Sequence, residues 1–364
     1  MRRTSFTSSL ILPISARNFF TFLSFDLIEL SLIGKINNPD AKIVEEGLEG
    51  SDVTGFIDTG SYVLNALLSG TIYGGLPNNK ISCLAGDPAT GKTFYAIGIA
   101  SQFLKDNKDG VVVYFDTEQA VTTDMFKQRG IDTERVAVVP VATIEEFKTQ
   151  SLKIVNDILE QPEEDRKPVL FVLDSLGMLS TEKEMNDSAE GKNVRDMTKA
   201  QQTKATFRVL TLKLGKAKIP MLMTNHTYQV IGAYVPTKEL GGGIGLKYAA
   251  SNILTLSKSK DKTDEGVVGI FIKCTNYKNR FVKENMNVET RLNYTSGLSR
   301  YYGLTELAIK YGIFKKVSTR IELPDGSKVF EKNIDDEPEK YYTKDILDKL
   351  DAEIQKDFKY GQNT

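Results

Sequence analysis

Gly86-Asp87-Pro88-Ala89-Thr90-Gly91-Lys92-Thr93 satisfies the pattern G-x-x-x-x-G-K-[ST], the phosphate-binding P-loop. Its flanks agree with that reading. Ile81-Ser82-Cys83-Leu84-Ala85 reads as a short buried strand, and Phe94 to Leu104 as the helix that follows. The glycines let the backbone wrap around a phosphate. Exposed amides and the helix N-terminus supply donors and positive potential. In this geometry Lys92 reaches the β- and γ-phosphates of ATP, and the Thr93 hydroxyl ligates Mg²⁺. A glycine-rich turn without a ligand shares the glycines. It has no need of the strand, the Lys-Thr pair and the helix in this order.

Working outward, strands and helices alternate from Lys80. Val111 to Phe115 is a continuous apolar run, as expected of a strand buried on both faces, and Val136 to Val141 is another. Glu145 to Leu159 has helical periodicity. Val169 to Leu173 is a further buried strand, Thr203 to Lys218 a helix, and Ile219 to Thr224 the strand after it. Ile253 to Leu256 and Val267 to Cys274 read as later strands. The alternation predicts an α/β fold: a mostly parallel central sheet with helices on both faces. From Leu298 the pattern is mostly helical, with one hairpin-like turn at Pro324-Asp325-Gly326.

The chain has 364 residues, enough for a large domain and a smaller one. Its 40% apolar and 26% charged content is that of an ordinary globular protein. Cys83 and Cys274 are far apart and fit no metal spacing, so both read as reduced and buried; a single histidine excludes a histidine-rich metal site. With a net charge of −1, any nucleic-acid surface must be local. Residues 1–35 are atypical: Met1-Arg2-Arg3, then a Ser/Thr/Phe/Leu-rich run without an acid before Asp26. A signal or transit peptide is one reading, and a translation start near Ser31 is the reading preferred here. Arg17, Asp26 and Glu29 argue against a membrane span.

Three further positions carry chemistry. Asp174 ends the Val169 strand, where an acid holds Mg²⁺, often through water. Glu118 follows the Val111 strand, off the carboxyl end of a parallel sheet, where ligands sit. It is placed there to orient or deprotonate an attacking water, although a solvated loop acid has the same sequence. His226 follows the strand ending at Thr224-Asn225, where it can touch a γ-phosphate and report its loss.

This constellation resembles the RecA superfamily of strand-exchange ATPases, and most its phage branch, the UvsX recombinases. The resemblance spans roughly Ile57 to Ile313. Besides the P-loop it rests on Tyr114-Phe115-Asp116-Thr117-Glu118, Phe171-Val172-Leu173-Asp174-Ser175-Leu176-Gly177, Asn225-His226-Thr227-Tyr228 and Gly241-Gly242-Gly243. It implies a DNA-dependent ATPase in the cytoplasm that builds helical filaments on single-stranded DNA and exchanges strands with a duplex. Single-strand-binding and mediator proteins are the implied partners. Residues 36–79 are then an oligomerisation segment and linker, 80–297 the ATPase core, and 298–364 a small C-terminal domain.

The resemblance makes Glu118 the catalytic carboxylate and His226 the γ-phosphate sensor. Lys278 and Arg280 become the basic pair that reaches a neighbouring subunit's nucleotide, like arginine fingers. The DNA loops fall at about Thr181–Thr198, with Lys192, Arg195 and Lys199 near its end, and at Thr227–Gly245, with Tyr228, Tyr234, Lys238, Gly242 and Gly243. Thr122 is the polar neighbour of the adenine ring, and the stacking position falls on Met125 or Phe126. Two other readings share the P-loop: a RecA-fold hexameric helicase, and an ATP-binding mediator paralogue.

Overall fold

The computed structural model describes residues 41, 44–48, 50–192, 196–229, 238–241, 243–264 and 266–361. The expectations for residues 1–35, Arg195, Tyr234 and Gly242 lie outside them. Residues up to Asp52 form a unit of their own. Within it, Val44–Glu46 makes one 3₁₀ turn, and the Asp52 carboxylate accepts from the Leu48 amide at 2.7 Å.

From Val53 onward the chain is built around one mixed sheet. Phe56–Ile57 (β1) and Leu76–Pro77 (β2) pair with each other outside it. The large sheet then takes Ile81–Gly86 (β3), Val111–Asp116 (β4), Val136–Pro140 (β5), Val169–Asp174 (β6), Met221–Gln229 (β7), Lys238–Leu240 (β8), Asn252–Thr263 (β9), Gly266–Asn279 (β10), Asn287–Asn293 (β11) and Gly297–Leu298 (β12). Their order is β12-β11-β10-β9-β3-β7-β6-β4-β5, with β8 on β7. All contacts from β9 through β3 to β5 are parallel, and those from β9 to β12 are antiparallel.

The period of two sorts the central strands between two cores. Leu84, Val112, Tyr114, Leu170, Val172 and Leu222 face one cluster; Cys83, Phe115, Phe171, Leu173 and Met223 face the other. The first face is covered by Tyr62–Ser69 (α1), by the P-loop helix Lys92–Asp106 (α2) and by the C-terminal helix Lys344–Phe358. The second is covered by Ile144–Leu159, Lys199–Ala217 and Gly243–Ala249. Phe314, Leu350, Ile354 and Phe358 share a cluster with α2, so the chain beyond Leu298 packs on the same core as the sheet. In that C-terminal stretch Lys315–Val317, Arg320–Glu322 and Lys328–Phe330 form a small antiparallel sheet, and Pro324-Asp325-Gly326 turns between its last two strands.

Two sequence expectations change. β5 is not buried on both faces: among the described residues it pairs with β4 alone, and Val138 is 43% exposed. An apolar run is common to a central strand and an edge strand, and pairing alone separates them. β9 and β10 extend well past the predicted Ile253–Leu256 and Val267–Cys274, because from Ser257 their outward positions are polar and the hairpin continues into solvent.

Candidate nucleotide site

The loop that leaves β3 at Gly86 enters α2 at Lys92 through Gly91. Its φ of 88° is left-handed, and a Cβ there would lie 3.1 Å from Ile270 Cδ1. Gly86 is equally constrained, with a Cβ falling 2.8 Å from Thr90 Oγ1 and 3.0 Å from the Leu256 carbonyl. The loop is braced from both sides. Thr90 Oγ1 donates to the Asp87 carbonyl at 2.9 Å, Thr227 Oγ1 donates to the Asp87 carboxylate at 2.7 Å, and Lys258 Nζ donates to the Ala89 carbonyl.

Lys92 is 6% exposed and folds back over the loop, donating to the Gly86 and Asp87 carbonyls at 3.0 Å each. Burial lowers its pKa; the carboxylates of Asp174, Glu118 and Asp87 oppose that shift. A buried ammonium whose bonds among the described residues go to carbonyls is poised to exchange them for phosphate oxygens.

Asp174 is held from two sides, by Tyr114 Oη at 2.6 Å on Oδ2 and by the Thr224 hydroxyl on Oδ1. The Tyr114 phenol is pushed well above its ordinary range, first by burial and then by Asp174, so it stays a neutral donor. The register puts Asp174 beside Asp116 and Gly86 beside His226, with β6 meeting β7 at Leu173 and Met223, so the carboxyl-side segments of four strands lie together. Asp116 receives the Glu118 amide at 3.1 Å and folds the loop after β4 back on itself. Glu118 Oε1 accepts from Ser175 Oγ at 3.0 Å and lies 3.2 Å from His226 Nε2. Ser175 is locked in turn by Thr117, whose Oγ1 receives its amide at 2.7 Å and donates to its carbonyl at 3.0 Å.

These groups enclose a recess of about 340 Å³ whose polar and loop lining is Ala89, Gly91, Lys92, Thr93, Glu118, Asp174, His226 and Lys258. Phe94, Ile270, Leu292 and Tyr294 form an apolar wall. The polar lining fits a triphosphate. Thr93 and Asp174 offer oxygen ligands that suit a hard cation completing its shell with water and phosphate. Among the described residues, no group of three or more His, Cys, Asp and Glu side chains is arranged for a metal, so a protein-only cage is not what the site offers.

Four predicted residues do not line the recess. Phe126 is 3% exposed and packs edge-on against Tyr114 at 5.7 Å, so it belongs to the core and not to an adenine platform. Thr122 is the exposed N-cap of the turn Thr123–Lys127, with its hydroxyl on the Met125 amide at 3.4 Å. Lys278 and Arg280 do not line the recess. Lys278 Nζ donates to the Lys247 and Ala250 carbonyls at the end of Gly243–Ala249, and burial lowers its pKa, with Arg280 adding to the shift. Tyr294, Phe94 and Lys258 were missed. Tyr294 follows an antiparallel strand and lies far from every motif in sequence, so only the fold brings it to the site.

At the predicted DNA loops, Thr181 caps the helix Glu182–Ala189 and ties it to Asp196 at 2.8 Å. Lys192 pairs with Glu190, and Lys199 with Glu184 at 3.5 Å. β7 and β8 form a hairpin in which exposed Tyr228 pairs with Glu239, and Gln229 with Lys238. Asn225 Nδ2 donates to the Gly241 carbonyl at 2.7 Å, and the Gly241 amide to the His226 carbonyl at 2.9 Å. A Cβ on Gly241 would fall 2.8 Å from Asn225 Oδ1. Gly243 opens Gly243–Ala249. The base of this hairpin is thus bonded to the backbone of His226. Both cysteines are buried free thiols, their pKa values pushed by burial to about 12 for Cys83 and about 11 for Cys274. No helix among the described residues is long and apolar enough to cross a membrane.

Strand order and recess together define a P-loop nucleotide-binding protein with its site off the carboxyl ends of a parallel sheet. The chain belongs to the RecA family: the RecA N-terminal domain model matches residues 33–299. It is similar to the "Recombination and repair protein" of Enterobacteria phage T4, 31% identical over 254 residues, 70% of this chain and 63% of that protein. It is also similar to "Protein RecA" of Mycoplasmopsis pulmonis (27% over 274 residues, 74% and 75%). "Protein RecA" of Agrobacterium fabrum is 29% identical over 266 residues (71% and 68%). The aligned span is thus less than two thirds of the T4 protein's length.

Proposed function

We propose that this chain is a DNA-dependent ATPase of homologous recombination and repair. It assembles with ATP and Mg²⁺ on single-stranded DNA as a helical filament and exchanges strands with a homologous duplex. The observation that carries the reading is the convergence of Lys92, Thr93, Glu118, Asp174 and His226 on one recess, in a chain of the RecA family. Lys92 binds the β- and γ-phosphates. Thr93 and Asp174 hold Mg²⁺, which neutralises phosphate charge. Glu118, fixed by Ser175, orients or deprotonates the attacking water. His226 touches both Glu118 and, through its backbone, the β7–β8 hairpin, so the occupancy of the recess and the set of that hairpin are linked.

The DNA surface is read as the segments around 181–198 and 227–245. Lys192, Arg195, Lys199 and Lys238 neutralise phosphate, Tyr228 and Tyr234 stack on bases, and Gly242 and Gly243 expose amides. Such contacts accept any sequence, as strand exchange requires. Residues 36–79 serve assembly, and single-strand-binding and mediator proteins act on the filament in the cytoplasm of the cell, or of the host if the chain is viral.

The deciding experiment is ATP hydrolysis with and without single-stranded DNA, for the wild type and Glu118→Gln. Strong stimulation by DNA that falls by roughly two or more orders of magnitude in the variant, with ATP binding retained, supports the reading. Hydrolysis indifferent to DNA removes it. Electron microscopy with ATP and DNA then separates long helical filaments from the closed rings of a helicase.

A further inference from the structure

Arg129 is a cation whose side chain bonds backbone carbonyls and lies over a ring. Among the described residues it has no carboxylate partner. Its Nη2 donates to the Tyr294 carbonyl at 3.3 Å and its Nη1 to the Thr295 carbonyl at 3.4 Å. The guanidinium lies 5.7 Å from the centre of the Phe94 ring. The backbone of Arg129 is itself fixed, since Ser101 Oγ on α2 donates to its carbonyl at 3.0 Å. Partial burial pulls its pKa below the ordinary value, the cost of holding a guanidinium here without an acid.

The turn it grips is bonded from its other side as well. Asn293 Oδ1 receives the amides of Thr295 at 2.8 Å and Ser296 at 3.0 Å, and the Tyr294 amide donates to the Val268 carbonyl at 3.0 Å. Gly297 closes the turn with φ 87°, and a Cβ there would lie 2.9 Å from Arg129 Nη1. Amides are therefore held from the strand and carbonyls from Arg129. Between them, the Tyr294 ring is 54% exposed and lines the recess beside Phe94. Phe94 and Tyr294 both belong to the apolar lining of that recess, and Arg129 touches both residues.

We propose that Arg129 is a positioning residue for the base end of the nucleotide site: it holds the 294–296 turn so that the Tyr294 ring walls the cavity where a planar purine packs. This rests on the nucleotide reading above and adds to it the residue that builds the base wall. Arg129 touches no phosphate-binding group, so its effect is confined to ligands that carry a base.

The test is titration calorimetry on the full chain with Mg-ATP and, separately, with Mg-tripolyphosphate, which fills only the phosphate end. In Arg129→Ala the Kd for ATP rises about tenfold, the order expected of a lost base–aromatic contact, while the Kd for tripolyphosphate is unchanged. Tyr294→Ala gives the same split, and the double variant is no worse than Tyr294→Ala alone. Arg129→Lys, which keeps the charge and loses the two-pronged fork, falls between wild type and Arg129→Ala. Unaltered ATP binding in Arg129→Ala overturns the proposal, as do equal weakening of both ligands or additive losses in the double variant. A wild type that binds neither ligand overturns the nucleotide reading itself, a result distinct from these.

Discussion

Lys92, Glu118, Asp174 and His226 meet on the carboxyl-end side of β3, β4, β6 and β7, whereas Lys278 and Arg280 lie further back along the same sheet. The ladder measures the difference. Gly86, at the P-loop, pairs with Leu256 on β9. Lys278 pairs with Ile253, which pairs with Cys83; the Arg280 amide reaches the Ser251 carbonyl, and the Ser251 amide reaches Ile81. The basic pair therefore sits up to five residues back along β3, about 16 Å at the usual strand rise of about 3.3 Å per residue. No rotamer of these side chains brings both into their own recess. The proposed role of the basic pair at a neighbouring subunit's nucleotide is the reading that this separation from their own recess leaves open.

The largest effect that tests this contrast is at the P-loop. Lys92→Ala removes the ammonium from the recess, and nucleotide-dependent DNA binding is expected to be lost; filter binding with and without ATP measures it. Unchanged binding would take Lys92 out of the site. Next in size, Lys278→Ala is expected to lower hydrolysis by the DNA-assembled protein by about 10²-fold, below the full effect of an arginine finger because Arg280 remains. ATP binding by isolated subunits should be untouched. If isolated subunits also lose ATP, then Lys278 acts within its own protomer and the contrast fails. Lys278 also caps Gly243–Ala249, so Lys278→Arg, which keeps a cation at that helix end, separates the two roles.

Much of the recess was legible because its parts are local. The P-loop is contiguous, and Glu118 and Asp174 come at the ends of apolar strands; His226, expected after a strand ending at Thr224-Asn225, lies inside β7, which runs on to Gln229 to pair with β8. What was not legible depends on pairing across the chain. Phe126 looked as available to a base as Met125 until its ring was found against Tyr114. The hold of Tyr114 and Thr224 on Asp174 needs β4, β6 and β7 side by side. β5 reads like β4 in sequence and differs only in lacking a second neighbour among the described residues. Tyr294 and Arg129 are 165 residues apart and meet through backbone carbonyls, which no side-chain pattern announces.

A smaller effect probes the hold on Asp174. Tyr114→Phe leaves the ring packed against Phe126 and removes one of the two hydroxyl donors to the carboxylate. A hydrogen bond to a charged group is worth about 1.5–3 kcal/mol, so denaturant unfolding should register a loss at the low end of that range. The Mg²⁺ requirement of hydrolysis should rise with it. A loss of stability without any change in Mg²⁺ dependence would confine Tyr114 to the fold.

The smallest effect has the opposite sign. Among the described residues, Lys92 is a buried ammonium bonded to two carbonyls, with the Asp174, Glu118 and Asp87 carboxylates near it. Replacing a buried charge by an apolar chain of similar length is often stabilising, so Lys92→Met should unfold later than wild type by about 1 kcal/mol while being inactive. The pH dependence follows from the lowered pKa. Below the folded-state value the ammonium is charged in both states, and the fold bears the whole burial cost. Between that value and the ordinary lysine range near 10.5, the unfolded chain binds the extra proton, so wild-type stability climbs with pH. The advantage of Lys92→Met is therefore greatest at neutral pH and shrinks as pH rises through that window. An advantage that stayed constant to alkaline pH would mean that Lys92 is not desolvated. The strain the P-loop carries before it binds phosphate would then lie elsewhere than in its lysine.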